Sequence, residues 1–356
     1  MKQINTSMWT TMTRHNAPLA ILLVLLLTIF GCSSSTTDKQ SVGFSIAHSG
    51  DTTVVTVMSP WQPGTTMARY AITTPYRRIA CTSATHVGFL RELGLLDRLV
   101  GVCVPSRIYN LTDEQRATIT DLGDDMKPNL EAILMSRPDA IIVSTYGEGD
   151  ATVAQIAALG IPVLYCNEWT ESTPLARAEW IRFFGACFGC MERADSAYHA
   201  IAKAYNTLAL SHTAEGVSVM SGQSFRGTWY VPTGNTFMGR LFRDAGADYC
   251  YAGNPATSSL PLTFEQALQD FADADVWVGS SAHSMEELAA IDDKHTWFKA
   301  YKNHRVYNFA RRTLPSGAND FWETGVVHPE LILRDLQAIL ANDDPDTLFF
   351  SEQLQY

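Results

Sequence analysis

A helix-to-strand unit at residues 121–144 constrains the fold most strongly, because it recurs in weaker form at residues 262–279. In the first copy, Pro128 and Asn129 open a short amphipathic helix, since proline is tolerated at a helix start and asparagine accepts hydrogen bonds from free backbone N–H groups there. A following proline stops the helix, and residues 140–143 (AIIV) are expected to form a buried strand. The repeat predicts two similar lobes.

The two copies also match residue by residue at polar positions. Glu131 and Glu265 each stand at a helix start, and Asp139 and Asp275 each precede the strand that closes the unit. Aspartate and glutamate near a helix start interact favourably with the positive end of the helix dipole, which is the structural reading of the two glutamates. Their equivalent positions place both acids on the same surface of a pseudo-symmetric molecule.

The chain from residue 78 onward alternates short apolar strands with amphipathic helices. Strand, helix and strand repeats with short connections predict an α/β fold with parallel sheets covered by helices on both faces. In such sheets the ligand lies beyond the carboxyl ends of the strands. The expected binding site is therefore formed by the loops that follow the strands.

The longest helical pattern covers residues 176–210 and is expected to bend around residues 185–189. A long helix between two lobes would act as a stiff strut and limit hinge motion. Before the α/β region, residues 42–58 predict a β-hairpin with a turn at Gly50, interpreted as an accessory extension.

The N-terminus has the pattern of a lipoprotein signal. Basic residues precede the apolar run 19–30, and Gly31 stands directly before Cys32 and a polar stretch. The apolar core is too short for a membrane span, which needs about 20 residues. Cys32 is therefore the expected lipidation site, which predicts an exported, membrane-anchored lipoprotein of the periplasm.

Charge and motifs exclude several function classes. A net charge of −11 without clusters of lysine and arginine argues against nucleic acid as a partner. Gly-x-Ser-x-Gly, His-Glu-x-x-His and a phosphate-binding glycine loop are absent from the sequence, so no enzyme is expected. No cofactor is predicted.

Several motifs, taken in order, resemble one family of transport proteins. These are RIACTSATHVGFLRELGLLDRLVGV, KPNLEAILMSRPDAIIVS, GIPVLY, FMGRLFRDAGADY, LTFEQAL and KNHRVYNF. Together they are similar to the periplasmic binding proteins that serve ABC importers of iron siderophores, haem and cobalamin. The resemblance implies two Rossmann-like lobes joined by one rigid helix, with the ligand in the cleft between them.

The resemblance also implies partners. Glutamates at the positions of Glu131 and Glu265 dock onto arginine pockets of the membrane permease, which works with its ATPase. The expected ligand is an iron chelate, haem or cobalamin, and the expected state is a monomer. The alternatives are a capture lipoprotein that is not coupled to a permease, or an enzyme that processes a metal or tetrapyrrole.

Strand-end loops supply the candidate ligand contacts. Aromatic rings with a few fixed charges suit a bulky, partly apolar ligand that carries carboxylates or amides. The candidates are Arg107, Tyr109, Tyr146, Trp169, Arg226, Trp229, Arg312, Asp320 and Trp322. The segment NDFWETG resembles the ligand-contacting segment of cobalamin binders, although Thr324 stands where an arginine is expected.

Direct metal ligation has only weak candidates, His86 and His283. Six cysteines besides Cys32 are expected to be free, mostly buried thiols, with one disulfide as the alternative.

The predicted organisation is as follows. Residues 1–31 are the signal peptide, 32–41 a tether, 42–175 the first lobe, 176–212 the linking helix, 213–325 the second lobe, and 326–356 a closing helix and tail.

Overall fold

In the computed structural model, which describes residues 40–211 and 216–356, the first described elements form a three-stranded antiparallel sheet. Its strands are β1 (Phe44–Ser49), β2 (Thr52–Met58) and β3 (Thr66–Ile72). The first two form the predicted hairpin, and Gly50 adopts the positive φ of 57° that its turn requires. The third strand was not predicted. The predicted signal segment and Cys32 lie outside the described residues.

The first lobe contains a five-stranded parallel sheet. The strands of the lobe are β4 (Ile79–Cys81), β5 (Leu99–Val102), β6 (Thr120–Asp121), β7 (Gly123–Asp124), β8 (Lys127–Pro128), β9 (Ala140–Val143) and β10 (Val163–Tyr165). The parallel sheet has the order β10-β9-β4-β5-β6, and β7 pairs with β8 separately. The helices are α1 (Ala84–Glu92), α2 (Asp113–Thr118), α3 (Leu130–Ser136) and α4 (Ala151–Ala157).

Three helices follow the first lobe where a single long helix was predicted. They are α5 (Pro174–Ala178), α6 (Ile181–Phe188) and α7 (Met191–Leu210). Gly189 ends α6 with a φ of 73°, which agrees with the predicted bend and confines the long helix to the 20 residues of α7. Trp180 and Phe183 are fully buried in this segment.

The second lobe repeats the parallel plan on a smaller scale. Its elements are β11 (Val219–Ser221), β12 (Gln223–Phe225), β13 (Thr228–Val231), α8 (Phe237–Asp244), β14 (Leu260–Leu262), α9 (Phe264–Phe271), β15 (Val276–Val278), α10 (Met285–Ile291), α11 (Lys299–Lys302), β16 (Val306–Asn308), α12 (Thr324–Val327), α13 (Pro329–Ala341) and β17 (Glu352–Gln353). Strands β11, β15 and β16 are parallel, β17 adds an antiparallel edge, and β12-β13-β14 form a second sheet.

The repeated unit has the same local chemistry in both lobes. Asn129 caps α3 and Thr263 caps α9 through side-chain oxygens that accept backbone N–H groups. Asp139 accepts the N–H groups of residues 77 and 78 at the start of β4, each at 3.0 Å. Asp275 accepts the N–H of Ser218, just before β11, at the same distance. The matched aspartates therefore join neighbouring strands in each lobe.

In the part of the chain that the structure describes, no helix is both long and apolar enough to cross a membrane.

Candidate functional site

A cleft of about 890 Å³ lies between the two lobes. The first lobe and its N-terminal sheet provide one wall, and the second lobe provides the other through the start of α8 and the loop before β14. Its main aromatic and charged lining residues are Trp61, Trp169, Arg177, Phe237 and Trp322. The volume is at the upper end of the range of about 300–1,000 Å³ for small-molecule sites, so the cleft can hold a large ligand.

Three aromatic rings form a row on the first lobe: Trp61 and Trp169 line the cleft, and Tyr146 lies next to Trp169, outside the cleft lining. Tyr146 stacks on Trp169, with ring centroids 5.6 Å apart and an angle of 30° between the ring planes. The ring centroid of Trp61 lies 5.9 Å from that of Trp169. Tyr146 is 51% exposed and Trp169 is 36% exposed. Clustered exposed rings of this size mark a surface that is covered when a partner binds. Tyr146 and Trp169 were both predicted to contact ligand.

Trp61 was missed because residues 59–77, between the predicted hairpin and the α/β region, were given no structural interpretation. It lies in the loop between β2 and β3, and the sheet is held to the first lobe by a 3.0 Å hydrogen bond from the Tyr165 N–H to the Tyr70 hydroxyl. Gln62, the next residue, bonds to Glu148. The sequence feature that could have indicated a ligand contact was a tryptophan in a loop rich in proline and glycine.

Arg177 connects the aromatic row to the second lobe. It donates to the carbonyl oxygen of Trp169 at 2.8 Å, and its guanidinium lies 4.3 Å from the centre of the Phe237 ring at the start of α8. Cation–π contacts of desolvated arginines contribute about 2 kcal/mol. Arg177 therefore fixes the backbone beneath Trp169 and joins the two walls of the cleft.

The N-terminal segment that leads into the cleft is held by two buried glutamates. Glu179 accepts the N–H groups of Gln40 and Ser41 at 2.7 and 2.6 Å, and Glu171 accepts the N–H of Gly43 at 3.0 Å. Glu171 also accepts the indole N–H of Trp180 at 3.0 Å. The segment is therefore an integral part of the cleft wall.

Three predicted ligand contacts lie instead in a seam where the lobes touch directly. We define the seam by residues 109–110 and α1 on one side and residues 312–328 on the other. Asp320 is fully buried and binds the Arg312 guanidinium at 2.6 Å, and Arg312 lies 5.2 Å from the centre of the Tyr109 ring. None of the three lines the cleft. Trp322, in the same segment, does line the cleft and is 58% exposed.

Glu323 is the central acceptor of the seam and was not predicted. It bonds to the backbone N–H of Tyr109, and it accepts the backbone and side-chain N–H groups of Asn110 at 3.0 and 2.9 Å. His328 adds a second link, with its ring nitrogens 2.9 Å from Glu92 of the first lobe and 2.8 Å from Glu330. These charged hydrogen bonds hold the lobes together away from the cleft.

The seam should weaken as the pH rises. Burial raises the pKa of Glu323 to about 7, although hydrogen bonds from Tyr109 and Asn110 oppose the shift. Because the folded pKa exceeds the ordinary value of 4.5, this contribution to stability is full below about pH 4.5 and is lost as the pH rises through about 7. The loss is on the order of 3 kcal/mol.

Melting temperatures of the wild type and Glu323→Gln between pH 4.5 and 8 measure this effect. The variant keeps a neutral acceptor, so its melting temperature should fall less with pH than that of the wild type. Glu114→Gln is the control, because Glu114 is exposed in the first turn of α2, outside the seam, and its replacement leaves Glu323 free to titrate. Parallel curves for the wild type and Glu323→Gln would contradict the assignment.

The remaining predicted contacts lie elsewhere. Arg107 is exposed outside the cleft lining, and Arg226 sits in the turn between β12 and β13 with its guanidinium 5.2 Å from the Phe225 ring. Trp229 is only 1% exposed and donates its indole N–H to the Ser221 carbonyl at 3.0 Å. Its ring packs in the second-lobe core, and the proposed ligand site therefore does not include Trp229.

The two histidines considered as metal ligands are not placed for a shared site in the cleft. His86 is fully buried, whereas the side chain of His283 is 62% exposed and lies 4.0 Å from Glu352. Neither lines the cleft.

Glu131 and Glu265 are exposed in the first turns of α3 and α9, in equivalent positions of the two lobes. The helix N–H of Glu265 and the Thr263 hydroxyl hold the pKa of Glu265 below its ordinary value, so the side chain is ionised at neutral pH.

The six cysteines within the described residues are free; four are buried and Cys250 is exposed. Cys187 and Cys190 do not form a disulfide; Cys187 is buried and Cys190 is half-buried.

The family profile and the solved structures that match this chain agree on one family. The profile of the family described as "Periplasmic binding protein" matches residues 79–312. An uncharacterized lipoprotein of Methanocaldococcus jannaschii is 26% identical over 225 residues, which are 62% of this chain and 52% of that protein. The chain thus spans about half the length of the curated relatives that it matches.

Solved structures share the fold at low identity. The periplasmic vitamin B12 binding protein of Vibrio cholerae has a TM-score of 0.57 at 16% identity, covering 75% of this chain and 98% of that chain. The periplasmic haem binding protein of the same organism has a TM-score of 0.56 at 17% identity, covering 72% and 99%. A siderophore binding protein, bound to two acinetobactin molecules and ferric iron, has a TM-score of 0.57 at 17% identity, covering 80% and 98%.

Proposed function

This chain belongs to the periplasmic binding protein family, and from this premise we propose that it captures an iron chelate, haem or cobalamin and delivers it to an ABC permease. The observation that carries the proposal is the aromatic cleft between the lobes, lined by Trp61, Trp169 and Trp322. Proteins of the same fold are named for binding vitamin B12, haem and a ferric siderophore. All three ligands are bulky and have large flat or apolar surfaces that aromatic side chains can cover.

The ligand would lie against the row formed by Tyr146, Trp169 and Trp61. Arg177 also lines the cleft, and it is already engaged with the Trp169 carbonyl and the Phe237 ring. Stacking and burial of apolar surface would therefore supply most of the affinity.

Delivery would follow docking of the loaded protein on the permease through Glu131 and Glu265. Their exposure in equivalent first turns supports this role. The lipid on Cys32 would keep the protein at the membrane that holds the permease, and the protein would act as a monomer without a catalytic step. The contacts across the seam would limit lobe movement, so the permease would have to separate the walls of the cleft to release the ligand.

The ligand class is tested by incubating the protein with haem, a ferric siderophore and cobalamin separately. Native mass spectrometry and the visible absorption spectrum should show one of the three bound at one molecule per protein. Absence of binding to all three, together with turnover of a small substrate, would overturn the proposal in favour of an enzyme.

Trp169→Ala should weaken binding of that ligand about 30-fold, because an aromatic anchor at the centre of an interface contributes about 2 kcal/mol. Equilibrium titration of the ligand measures the change in Kd. Trp297→Ala is the matched control: Trp297 is 50% exposed but packs on Phe264, outside the cleft lining. Equal affinity of the two variants would place the ligand elsewhere.

A further inference from the structure

Three buried side chains converge just beyond the carboxyl ends of the first-lobe strands. His86 comes from α1, and Cys166 and Glu168 follow β10. His86 and Cys166 are 0% exposed and Glu168 is 1% exposed. A nitrogen, a sulfur and an oxygen from these residues all lie within 4.8 Å of one another. Because the group lies beneath the wall of the cleft, the proposed ligand does not touch it.

The separations are close to those of a tetrahedral metal site. Zinc binds thiolate sulfur at about 2.3 Å and carboxylate oxygen at about 2.1 Å, so the two ligand atoms stand about 3.6 Å apart in a tetrahedral site. The Cys166 Sγ and a Glu168 oxygen are already 3.4 Å apart. The other two separations, from the His86 nitrogen to the Cys166 sulfur and to the Glu168 oxygen, would have to shorten by about 1 Å to complete a three-ligand set. Small side-chain rotations can supply this movement.

His86 has a free nitrogen at this place. Its Nε2 lies 3.2 Å from the Ser144 hydroxyl, whereas Nδ1 is buried without a hydrogen bond of normal geometry among the described residues; the ring also interacts with the backbone of Cys166. A buried polar atom without a partner costs about 1–3 kcal/mol, so it requires an explanation. Metal-binding histidines characteristically use one nitrogen for the metal and the other for a hydrogen bond that orients the ring. Ser144 provides that orienting contact here.

The charges of the group fit a divalent ion. One thiolate and one carboxylate balance a charge of two, and a neutral imidazole adds a third donor without further charge. On binding, the metal–sulfur bond forms and the thiol proton passes to solvent, so no oxidant or reductant is needed. Sulfur and imidazole ligands favour zinc and cobalt over magnesium and calcium, which prefer oxygen.

We propose that His86, Cys166 and Glu168 bind a thiophilic divalent ion of the zinc class, with water as the fourth ligand. The ion would hold the turn Glu168–Thr170 against α1. Trp169 belongs to this turn, so the site would fix the position of the central ring of the aromatic row. The proposal does not depend on the identity of the transported ligand or on the permease.

Cobalt(II) is the probe, because it occupies zinc sites and absorbs light. The intact protein, stripped of metal with a chelator, should bind one Co²⁺ with a thiolate-to-cobalt charge-transfer band in the near ultraviolet and visible bands typical of tetrahedral coordination. Added Zn²⁺ should remove the bands. Cys166→Ser, which preserves side-chain size, should lose the charge-transfer band, whereas Cys190→Ser should retain it.

Glu168→Gln keeps the thiol and serves as a second variant if Cys166→Ser fails to fold. It should weaken Co²⁺ binding at least about tenfold, because even the loss of an outer-shell partner lowers metal affinity about 10–100-fold. Folding of each variant is checked by circular dichroism without metal. Absence of the charge-transfer band in the folded wild type, or its persistence in folded Cys166→Ser, or unchanged affinity in Glu168→Gln would overturn the proposal.

Discussion

Uptake should fall at least about a hundredfold when Glu131 and Glu265 are both replaced by lysine, while ligand affinity remains unchanged. Each glutamate is proposed to pair with an arginine pocket of the permease. Reversing its charge would place two cations together in a desolvated interface, and truncation of such a pair alone weakens binding more than tenfold. Both residues lie on the exposed surface outside the cleft lining, so the ligand should be unaffected. Ligand uptake by cells and equilibrium titration of the purified variant measure the two quantities.

A matched control uses two other exposed glutamates from helix first turns, one in each lobe. Glu114 is in the first turn of α2 and Glu286 is in the first turn of α10. Glu114→Lys combined with Glu286→Lys changes the net charge by the same amount and should leave uptake intact. If the two double variants transported ligand equally well, the docking assignment would be wrong, and a capture lipoprotein that is not coupled to a permease would be favoured.

Gly88→Ala should destabilise the protein by about 2–4 kcal/mol, although alanine normally stabilises a helix relative to glycine by about 1 kcal/mol. Gly88 lies within α1, and a Cβ atom there would stand 2.3 Å from the backbone oxygen of Glu323. A backbone atom cannot rotate away as a side chain can, so the two sides of the seam must separate. That separation would strain the hydrogen bonds that the Glu323 carboxylate accepts from the backbone N–H groups of Tyr109 and Asn110.

Urea denaturation measures this loss, with Gly253→Ala as the control. Gly253 has an ordinary negative-φ backbone and no atom within 4 Å of its added Cβ, so its replacement should change stability by less than about 0.5 kcal/mol. An unchanged or increased midpoint for Gly88→Ala would mean that helix propensity outweighs the contact, and that the seam adapts at little cost.

Local interactions made part of this fold predictable. Asn129 and Thr263 cap their helices through hydrogen bonds within three residues, and Asp139 and Asp275 repeat the same bond to a neighbouring strand. Such contacts depend on nearby residue types and on a repeated pattern, both of which are visible in the sequence. The lobes, the bend near Gly189 and the α/β class therefore followed from the sequence.

Long-range packing decided what could not be predicted. Trp169 and Trp229 were both assigned to loops that follow strands, yet Trp169 lines the cleft, whereas Trp229 lies within β13 and packs on Trp277 and Phe298 in the second-lobe core. Trp61 reaches the cleft only through docking of β1-β2-β3 on β10. Glu323 becomes a seam residue through partners more than 200 positions earlier. Sequence periodicity contains no information on these distances.

The glutamates that hold residues 40–43 bear on how the protein should be produced in the laboratory. A recombinant chain intended to omit the signal and the lipid must begin upstream of Gln40. Starting at residue 44 would remove the N–H donors of Gln40, Ser41 and Gly43 and leave Glu171 and Glu179, which are 5% and 2% exposed, with fewer partners. Each hydrogen-bond donor lost from a buried charged group lowers the free energy of unfolding by about 1–3 kcal/mol. A chain that starts at the first strand should therefore give less folded protein and a lower melting temperature.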